Sequence, residues 1–91
     1  MLYLVTYDIP DDRRRLRVAK TVQDFGDRVQ YSVFECLLDR GLLERLQARI
    51  NEVICEAEDS VRIYPLCAGC ERGLTIIGQG EVSREEEVYI L

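Results

Sequence analysis

The sequence predicts an α+β fold of the ferredoxin-like type, a βαββαβ sandwich with an extra C-terminal strand, assembled as a homodimer. Stretches with helical periodicity alternate with strand-like stretches, in the order strand, helix, strand or hairpin, helix, strand. The first strand is apolar on both faces, and two helices cover only one face of a small sheet. The last four residues, 88–91, have strong β character and need a sheet edge. A second copy of the chain would satisfy both requirements.

The chain divides into one small domain and a tail. A length of 91 residues is typical of a single domain. We predict a ferredoxin-like domain over residues 1–78 and a C-terminal tail and strand over 79–91, exchanged across the dimer. Gly78 and Gly80 loosen the chain at this boundary, and the tail is too acidic for a core. The alternative is that the terminal strand pairs within its own chain.

The first strand and the first helix meet at Pro10. Residues 2–9 form the strand, which Pro10 ends because proline has no amide hydrogen to pair. A helix is expected over 12–25, with Asp11 or Asp12 accepting hydrogen bonds from its first amides. Its predicted core face comprises Leu16, Val18, Ala19, Val22 and Phe25. The stripe that faces away from the core comprises Arg13, Arg17, Lys20 and Asp24.

The later elements are shorter. Residues 28–38 form either one bent strand or two strands with a break near Ser32, and Cys36 is expected in the core. A second helix is expected over 42–57 from apolar residues at helical spacing. Residues 61–66 are predicted to form a strand, which Pro65 places at or near a sheet edge. Residues 67–73 are predicted to form a turn, and 74–77 another short strand.

Composition excludes several kinds of chemistry. The chain has no histidine, which excludes Ser-His-Asp and Cys-His catalysis and histidine-ligated zinc. A hydrolase built on this chain must use a carboxylate, a thiol, or water on a metal ion. Four cysteines without a secretion signal indicate a reducing, cytoplasmic setting. No apolar run approaches the roughly 20 residues that span a bilayer, so we expect no membrane partner.

The formal net charge of −5 is unevenly distributed along the chain. Residues 1–40 carry seven basic and seven acidic side chains, whereas residues 41–91 carry five basic and ten acidic ones. Salt screens charges more than about 10 Å apart, so a local basic stripe can still bind phosphate. The candidates for nucleic-acid backbone contacts are Arg13, Arg17, Lys20 and Arg28. The alternative is a solvated helix face whose arginines pair with Asp11, Asp12 or Asp24.

Asp8 stands at the carboxyl end of the first strand. A rigid strand positions an ionisable group there, and the following loop exposes it to solvent. The functional interpretation is metal-assisted phosphodiester hydrolysis, because Mg²⁺ takes oxygen ligands and often only one or two carboxylates. A two-fold axis near the strand end would bring two copies of Asp8 together. The alternative, which the local sequence favours, is that Asp8 caps the turn at Pro10–Asp12.

A second candidate site is Cys67-x-x-Cys70. The spacing suits zinc or a redox dithiol, but a structural zinc ion needs two more ligands. Cys36 and Cys55 are isolated from each other, in elements that are expected to form the core. A plain reduced turn is therefore the favoured interpretation.

Three segments together resemble a known family. They are Tyr7-Asp8-Ile9-x-Asp11 before an Arg/Lys-rich helix, Gly26-x-Arg28-Val29-Gln30-Tyr31-Ser32-Val33-Phe34-Glu35-Cys36, and Asp59-Ser60-Val61-Arg62-Ile63-Tyr64-Pro65-Leu66. In this order they resemble the second of the two universal CRISPR-associated adaptation proteins, the small dimeric partner of the integrase that captures new spacers. The resemblance implies a ferredoxin-like homodimer with exchanged C-terminal strands, and Asp8 of each chain as a Mg²⁺ ligand at the dimer cleft.

The resemblance also implies a metal-dependent endonuclease that acts on RNA or DNA. We therefore predict a cytoplasmic homodimer that acts in CRISPR spacer acquisition, an antiviral defence, with the CRISPR integrase subunit as a partner. Asp8 would be the catalytic residue and would hold Mg²⁺, with Mn²⁺ as an alternative ion. The predicted nucleic-acid-binding residues are Arg13, Arg15, Arg17, Lys20 and Arg28, and the supporting residues are Tyr7, Ser32 and Phe34.

Two other functions remain open at this point. The first is a non-catalytic nucleic-acid-binding adaptor that bridges two integrase dimers. The second is a small-molecule regulatory domain of the same fold. The arginine stripe and the lack of a Gly-rich ligand loop count against the regulatory domain.

Overall fold

The computed structural model describes residues 1–78 and residue 80. Its elements, in chain order, are β1 (Leu2–Asp8), α1 (Asp12–Gln23), β2 (Asp27–Gln30), β3 (Val33–Leu37), α2 (Arg40–Asn51), β4 (Ser60–Leu66) and α3 (Ala68–Arg72). The elements from β1 to β4 follow the predicted βαββαβ order. None of the described helices is both long and apolar enough to cross a membrane.

The described strands form one antiparallel sheet in the order β2-β3-β1-β4. This is the ferredoxin-like arrangement, and the predicted α+β class is confirmed. The region 28–38 is two strands rather than one, because the chain turns at Tyr31 and Ser32. Strand pairing also shifts in register between Arg28 and Gln30. β4 lies at an edge of this sheet, as Pro65 indicated.

The core lies between one face of the sheet and the helices α1 and α2. Val5 and Tyr7 of β1 belong to it, together with Phe34 and Cys36 of β3. The two helices and the residue after β3 contribute Val18, Ala19, Val22, Leu38, Leu46 and Ile50. Complete burial of a side chain as large as Phe34 contributes about 1.5–3 kcal/mol. Cys36 is fully buried, as predicted.

The predicted core face of α1 is wrong at Leu16. This side chain is 62% exposed, whereas Val18 and Val22 are fully buried. Successive helical residues turn by about 100°, so Leu16 lies roughly 160° around the helix axis from Val18. Leu16 therefore lies beside the exposed cationic stripe of α1, formed by Arg13, Arg17 and Lys20. The later residues Val18 and Val22 reach the core.

Both long helices end earlier than predicted. α1 ends at Gln23 rather than at residue 25, and Phe25 packs partly against the core from the turn that follows. α2 begins at Arg40 rather than at residue 42, because the Asp39 side chain caps it through a 2.8 Å bond from the Leu42 amide. It ends at Asn51 rather than at residue 57, although apolar residues after it still pack against the core. Apolar spacing therefore continued beyond the hydrogen-bonded helix.

Two predictions near the end of the described chain are wrong. Residues 67–73, expected as a turn, contain the short helix α3 with Cys67 as its cap. Residues 74–77 form no strand, and Ile77 is 94% exposed. They pair with no strand of the described sheet, and β-branched residues form a strand only where a neighbouring strand is available to pair with them. The predicted strand 88–91 and the exchanged tail over 79–91 lie outside the described residues, apart from Gly80.

Gly26 lies where the turn after α1 passes closest to β3. A Cβ atom at this position would lie 2.2 Å from the Glu35 carbonyl oxygen and 2.5 Å from Cys36 Sγ. We expect Gly26→Ala to lower the free energy of unfolding by about 1–3 kcal/mol, because the backbone must move. The matched control is Gly41→Ala in α2, whose added Cβ would meet only Asp39 Oδ1, at 3.6 Å. Urea unfolding of both variants checks this, and equal stabilities would contradict it.

Arg14 joins α1 to the loop before β4. Its Nε donates to Asp59 Oδ2 at 2.8 Å, and its Nη2 donates to Glu58 Oε1 at 2.9 Å. The Asp59 side chain is fully buried and also accepts the Cys55 amide at 2.8 Å. The hydrogen bond from Arg14 is the main reason that the pKa of Asp59 is lowered. This pair fixes the start of β4, which lies opposite Asp8.

The Arg14–Asp59 pair makes stability depend on pH. Because the folded-state pKa of Asp59 is lowered, its stabilisation is complete above the ordinary value of about 3.9 and is lost as pH falls through the folded-state value. We expect Asp59→Asn to lower Tm at neutral pH, on the order of 5 °C or more, with a smaller difference in acid. Glu58→Gln is the control, since the Glu58 side chain is 60% exposed. Thermal unfolding at both pH values checks this, and a constant difference would contradict it.

Candidate active site

Asp8 is the last residue of the central strand and is exposed. Tyr3, Val5 and Tyr7 face the helices, so alternation places Leu4, Thr6 and Asp8 on the opposite face of the sheet, called the open face here because α1 and α2 do not cover it. Strand pairing sets Asp8 against Ser60 and Thr6 against Arg62 of β4. A paired central strand therefore fixes the position of this carboxylate at the rim of the open face.

The alternative that Asp8 caps the turn does not agree with the structure. The cap of α1 is Asp11, whose carboxylate accepts the Arg14 amide at 2.9 Å. Arg15 holds the loop by donating to the Ile9 carbonyl at 2.8 Å and pairing with Asp12. Among the described residues, none donates a hydrogen bond to the Asp8 carboxylate. Asp8 therefore remains open to a ligand from outside the chain.

A cavity of about 260 Å³ lies in front of Asp8. Its walls are formed by Thr6, Tyr7, Asp8, Ser60, Arg62 and Tyr64. Arg62 Nη1 donates to the Tyr64 hydroxyl at 3.3 Å, and this bond raises the pKa of Arg62. The cavity thus combines one carboxylate, several hydroxyl groups and one permanent cation, which suits a phosphate group beside a hard metal ion.

The residues at this cavity fit a magnesium-type ion only in part. Asp8 offers a carboxylate, and Thr6 and Ser60 offer hydroxyl oxygens, which are the hard ligands that Mg²⁺ and Mn²⁺ prefer. However, the described residues contain no cluster of three or more histidine, cysteine or acidic side chains that could hold a metal. One chain therefore supplies a single anionic ligand. A second Asp8 from another copy of the chain would make the set typical of a Mg²⁺ site.

Two of the predicted supporting residues, Tyr7 and Phe34, lie in the core on the helix side of the sheet. Arg28 Cζ lies 5.2 Å from the Phe34 ring centroid, and its Nη2 is 3.5 Å from the Tyr7 hydroxyl. The Ser32 carbonyl accepts the Tyr7 amide at 3.3 Å. Phe34 is fully buried and Tyr7 nearly so, so these rings pack in the core and position the end of β1, where Tyr7 also forms part of the cavity wall.

The cationic stripe of α1 is exposed along its length. Arg13, Arg17 and Lys20 make no ion pair with any residue in the described part of the chain. The aspartates that could neutralise them have other partners: Asp12 pairs with Arg15, and Asp24 pairs with Arg49 at 2.9 Å. The solvated-face alternative therefore holds in part: the face is exposed and Arg15 pairs with Asp12, but Arg13 and Arg17 pair with no aspartate among the described residues.

The cations predicted to bind nucleic acid are thus not equivalent. Arg13, Arg17 and Lys20 are free in the described part of the chain, and Arg28 is exposed while resting on Phe34. Arg15 is bound to loop carbonyls, and hydrogen bonding to Asp12 raises its pKa. Sequence reasoning missed Arg62 and Tyr64, which line the cavity, because the register that places them beside Asp8 leaves no signal in a single sequence.

Comparison with known proteins identifies the family of this chain. Residues 1–73 match the family model described as CRISPR associated protein Cas2. The chain is 42% identical over 93 residues to a protein of Chloroflexus aurantiacus named CRISPR-associated endoribonuclease Cas2 1, with all of both chains covered.

Two solved structures have the same fold. One is the crystal structure of Streptococcus pyogenes Cas2 at pH 6.5, with a TM-score of 0.75 and 36% identity, covering 86% of this chain and all of that one. The other is a chain of a partial Cas6-RT-Cas1–Cas2 complex, with a TM-score of 0.73 and 28% identity, covering 84% of this chain and 89% of that one. Because the family model spans residues 1–73 and the Chloroflexus relative is 42% identical over its full length, this chain belongs to the Cas2 family of CRISPR-associated proteins.

Proposed function

We propose that this protein is a cytoplasmic, metal-dependent endonuclease of CRISPR spacer acquisition, with Asp8 as its catalytic residue and RNA or DNA as its substrate. The observation that carries the proposal is the exposed Asp8 carboxylate at the end of the central strand, beside Arg62 and several hydroxyl groups. The endoribonuclease name of the Chloroflexus relative supports the reaction class. We infer the role in spacer acquisition from membership of the Cas2 family.

The proposed active form is a homodimer. The open sheet face carries apolar side chains that α1 and α2 do not cover, including Leu37 at 37% and Tyr64 at 43% exposure. A two-fold axis through this face would bury these side chains and place two Asp8 carboxylates at one cleft. This arrangement would supply the second anionic ligand that one chain lacks.

The proposed chemistry gives each residue of the cavity one role. Asp8 would hold Mg²⁺ or Mn²⁺, which supplies a water of lowered pKa and neutralises charge on the phosphate. Arg62 would bind a phosphate oxygen and stabilise the charge that develops in the transition state. The Tyr64 hydroxyl orients Arg62, and the hydroxyl groups of Thr6 and Ser60 would hydrogen-bond water at the cleft.

Cleavage assays on labelled RNA, single-stranded DNA and duplex DNA test this proposal. We expect cleavage of at least one substrate with Mg²⁺ or Mn²⁺, and none after removal of the metal with EDTA. Readdition of the ion should restore it. Cleavage that persists in EDTA would contradict the proposal, and so would cleavage that does not depend on Asp8.

A non-catalytic adaptor that bridges integrase dimers is the second candidate function. Two observations favour it: the unpaired cations of α1 within the described residues, and the likeness to a chain of a structure described as a partial Cas6-RT-Cas1–Cas2 complex. The adaptor function needs binding surfaces and not a metal. It predicts that Asp8→Ala leaves binding to the CRISPR integrase subunit unchanged, as measured by co-elution of the purified proteins. Loss of that binding would count against the adaptor function.

A further inference from the structure

Cys67 and Cys70 form an exposed pair of thiols at the end of β4. They lie three residues apart on the first turn of α3, and the Cys70 amide donates to Cys67 Sγ at 3.4 Å. Neither thiol takes part in the core or in the proposed nuclease site. Residues separated by one helical turn have Cβ atoms about 5–6 Å apart, and a small adjustment brings them to the roughly 4 Å that a disulfide needs.

The other two cysteines do not share this environment. Cys36 is fully buried, and burial raises its pKa to about 11. Cys55 is half-buried in the loop after α2. Because the thiolate is the reactive form, only an accessible thiol of low pKa reacts readily with a disulfide. The fold therefore separates one exposed pair from two protected single thiols.

The two exposed thiols are also inequivalent. Hydrogen bonds from the Cys70 amide and then from the Cys70 thiol lower the pKa of Cys67. The pKa of Cys70 is raised, because its thiol donates to the Cys67 sulfur. Of the two thiols, Cys67 therefore ionises more readily and Cys70 less readily.

We propose that Cys67 and Cys70 form a redox-active dithiol that reacts with low-molecular-weight disulfides of the glutathione class. In the first step the Cys67 thiolate attacks one sulfur of the disulfide, forming a mixed disulfide and releasing one thiolate. In the second step the Cys70 thiol gives up its proton and attacks Cys67 Sγ, forming the Cys67–Cys70 disulfide and releasing a second thiolate. Counted from the two thiols, the protein loses two electrons and two protons. One proton is released when the Cys67 thiol ionises and the other when Cys70 attacks, and these protonate the two released thiolates, so that the small disulfide is reduced to two thiols.

Zinc binding fits this pair less well than redox chemistry. A structural zinc site takes four ligands. The described residues offer no cluster of three or more histidine, cysteine or acidic side chains. An accessible pair of thiols one helical turn apart is instead the arrangement that a dithiol needs for exchange.

Thiol counting on the full chain after incubation with excess glutathione disulfide tests the proposal. Under denaturing conditions the count should fall from four to two, with a mass loss of two hydrogen atoms. Cys70→Ser should stop at the first step and gain one glutathionyl group on Cys67. Cys67→Ser should keep its three thiols over the same time, and Cys55→Ser is the control that still forms the disulfide. Four thiols retained in the wild type would overturn the proposal, and so would glutathione addition to Cys67→Ser at the rate seen in Cys70→Ser.

The dithiol and the proposed nuclease site can be tested independently. β4 begins at Ser60, opposite Asp8, and ends at Leu66, opposite Leu2, so the dithiol lies at the other end of the sheet. The distance along seven strand residues is on the order of 20 Å. Both serine variants should therefore cleave nucleic acid as the wild type does, and a protein without nuclease activity would still form the disulfide.

Discussion

Asp8→Asn is expected to lower the rate of metal-dependent cleavage on the order of 100-fold or more. The amide keeps the shape of the carboxylate but loses the charge that binds the ion. In the proposed dimer the substitution removes both anionic ligands at once. Single-turnover cleavage with saturating enzyme measures the rate, and a titration with Mn²⁺ shows whether a higher concentration of ion restores part of it.

Asp27→Asn is the matched control for this variant. Asp27 is also an exposed aspartate at a strand end, but it does not line the cavity. The Asp27→Asn variant should cleave at the wild-type rate. Both variants should keep the wild-type Tm, because both side chains are exposed. Unchanged cleavage by Asp8→Asn would show that the activity has another source. An equal loss in both variants would show a general effect of charge.

The backbone position of Asp8 could be predicted from the sequence, whereas its surroundings could not. A strand of apolar and aromatic residues that runs into Pro10 must end near Asp8, because proline cannot continue the ladder. Local chemistry also limited the helix cap to Asp11 or Asp12, and the structure selects Asp11. Arg62 and Tyr64 are distant in sequence and meet Asp8 only through the pairing of β1 with β4. Their contribution depends on register, which one sequence does not encode locally.

Misassigned elements show the same limit. Leu16 satisfied helical spacing, but the sheet covers only part of the helix circumference, and that part is set by tertiary packing. Residues 74–77 have β-branched side chains, yet strand propensity is expressed only where a partner strand is available. Gly26 follows the end of α1, where glycine is a common helix terminator, but the structure gives it a different reason: the close approach of β3. Local sequence patterns therefore predicted the helices and strands better than they predicted the tertiary contacts between them.

The second large effect is expected on nucleic-acid binding. We expect the triple variant Arg13→Ala, Arg17→Ala and Lys20→Ala to bind duplex DNA on the order of 100-fold more weakly at low salt. These side chains are unpaired within the described part of the chain, so they can release condensed counterions when they bind phosphates. A dimer would present the stripe twice. Fluorescence anisotropy over a range of salt concentrations should also show a shallower salt dependence, by about 0.9 in the logarithmic slope for each phosphate that the variant no longer neutralises.

Three arginines outside the stripe provide the control. Arg40→Ala, Arg45→Ala and Arg72→Ala remove the same charge from exposed positions on α2 and α3. If binding depended on net charge alone, both triple variants would weaken it equally and change the salt slope equally. If the α1 stripe is the contact surface, only the first triple variant weakens binding and changes the salt slope. Its cleavage rate at saturating enzyme should stay close to that of the wild type. That combination would separate the surface that holds the nucleic acid from the carboxylate that acts on it.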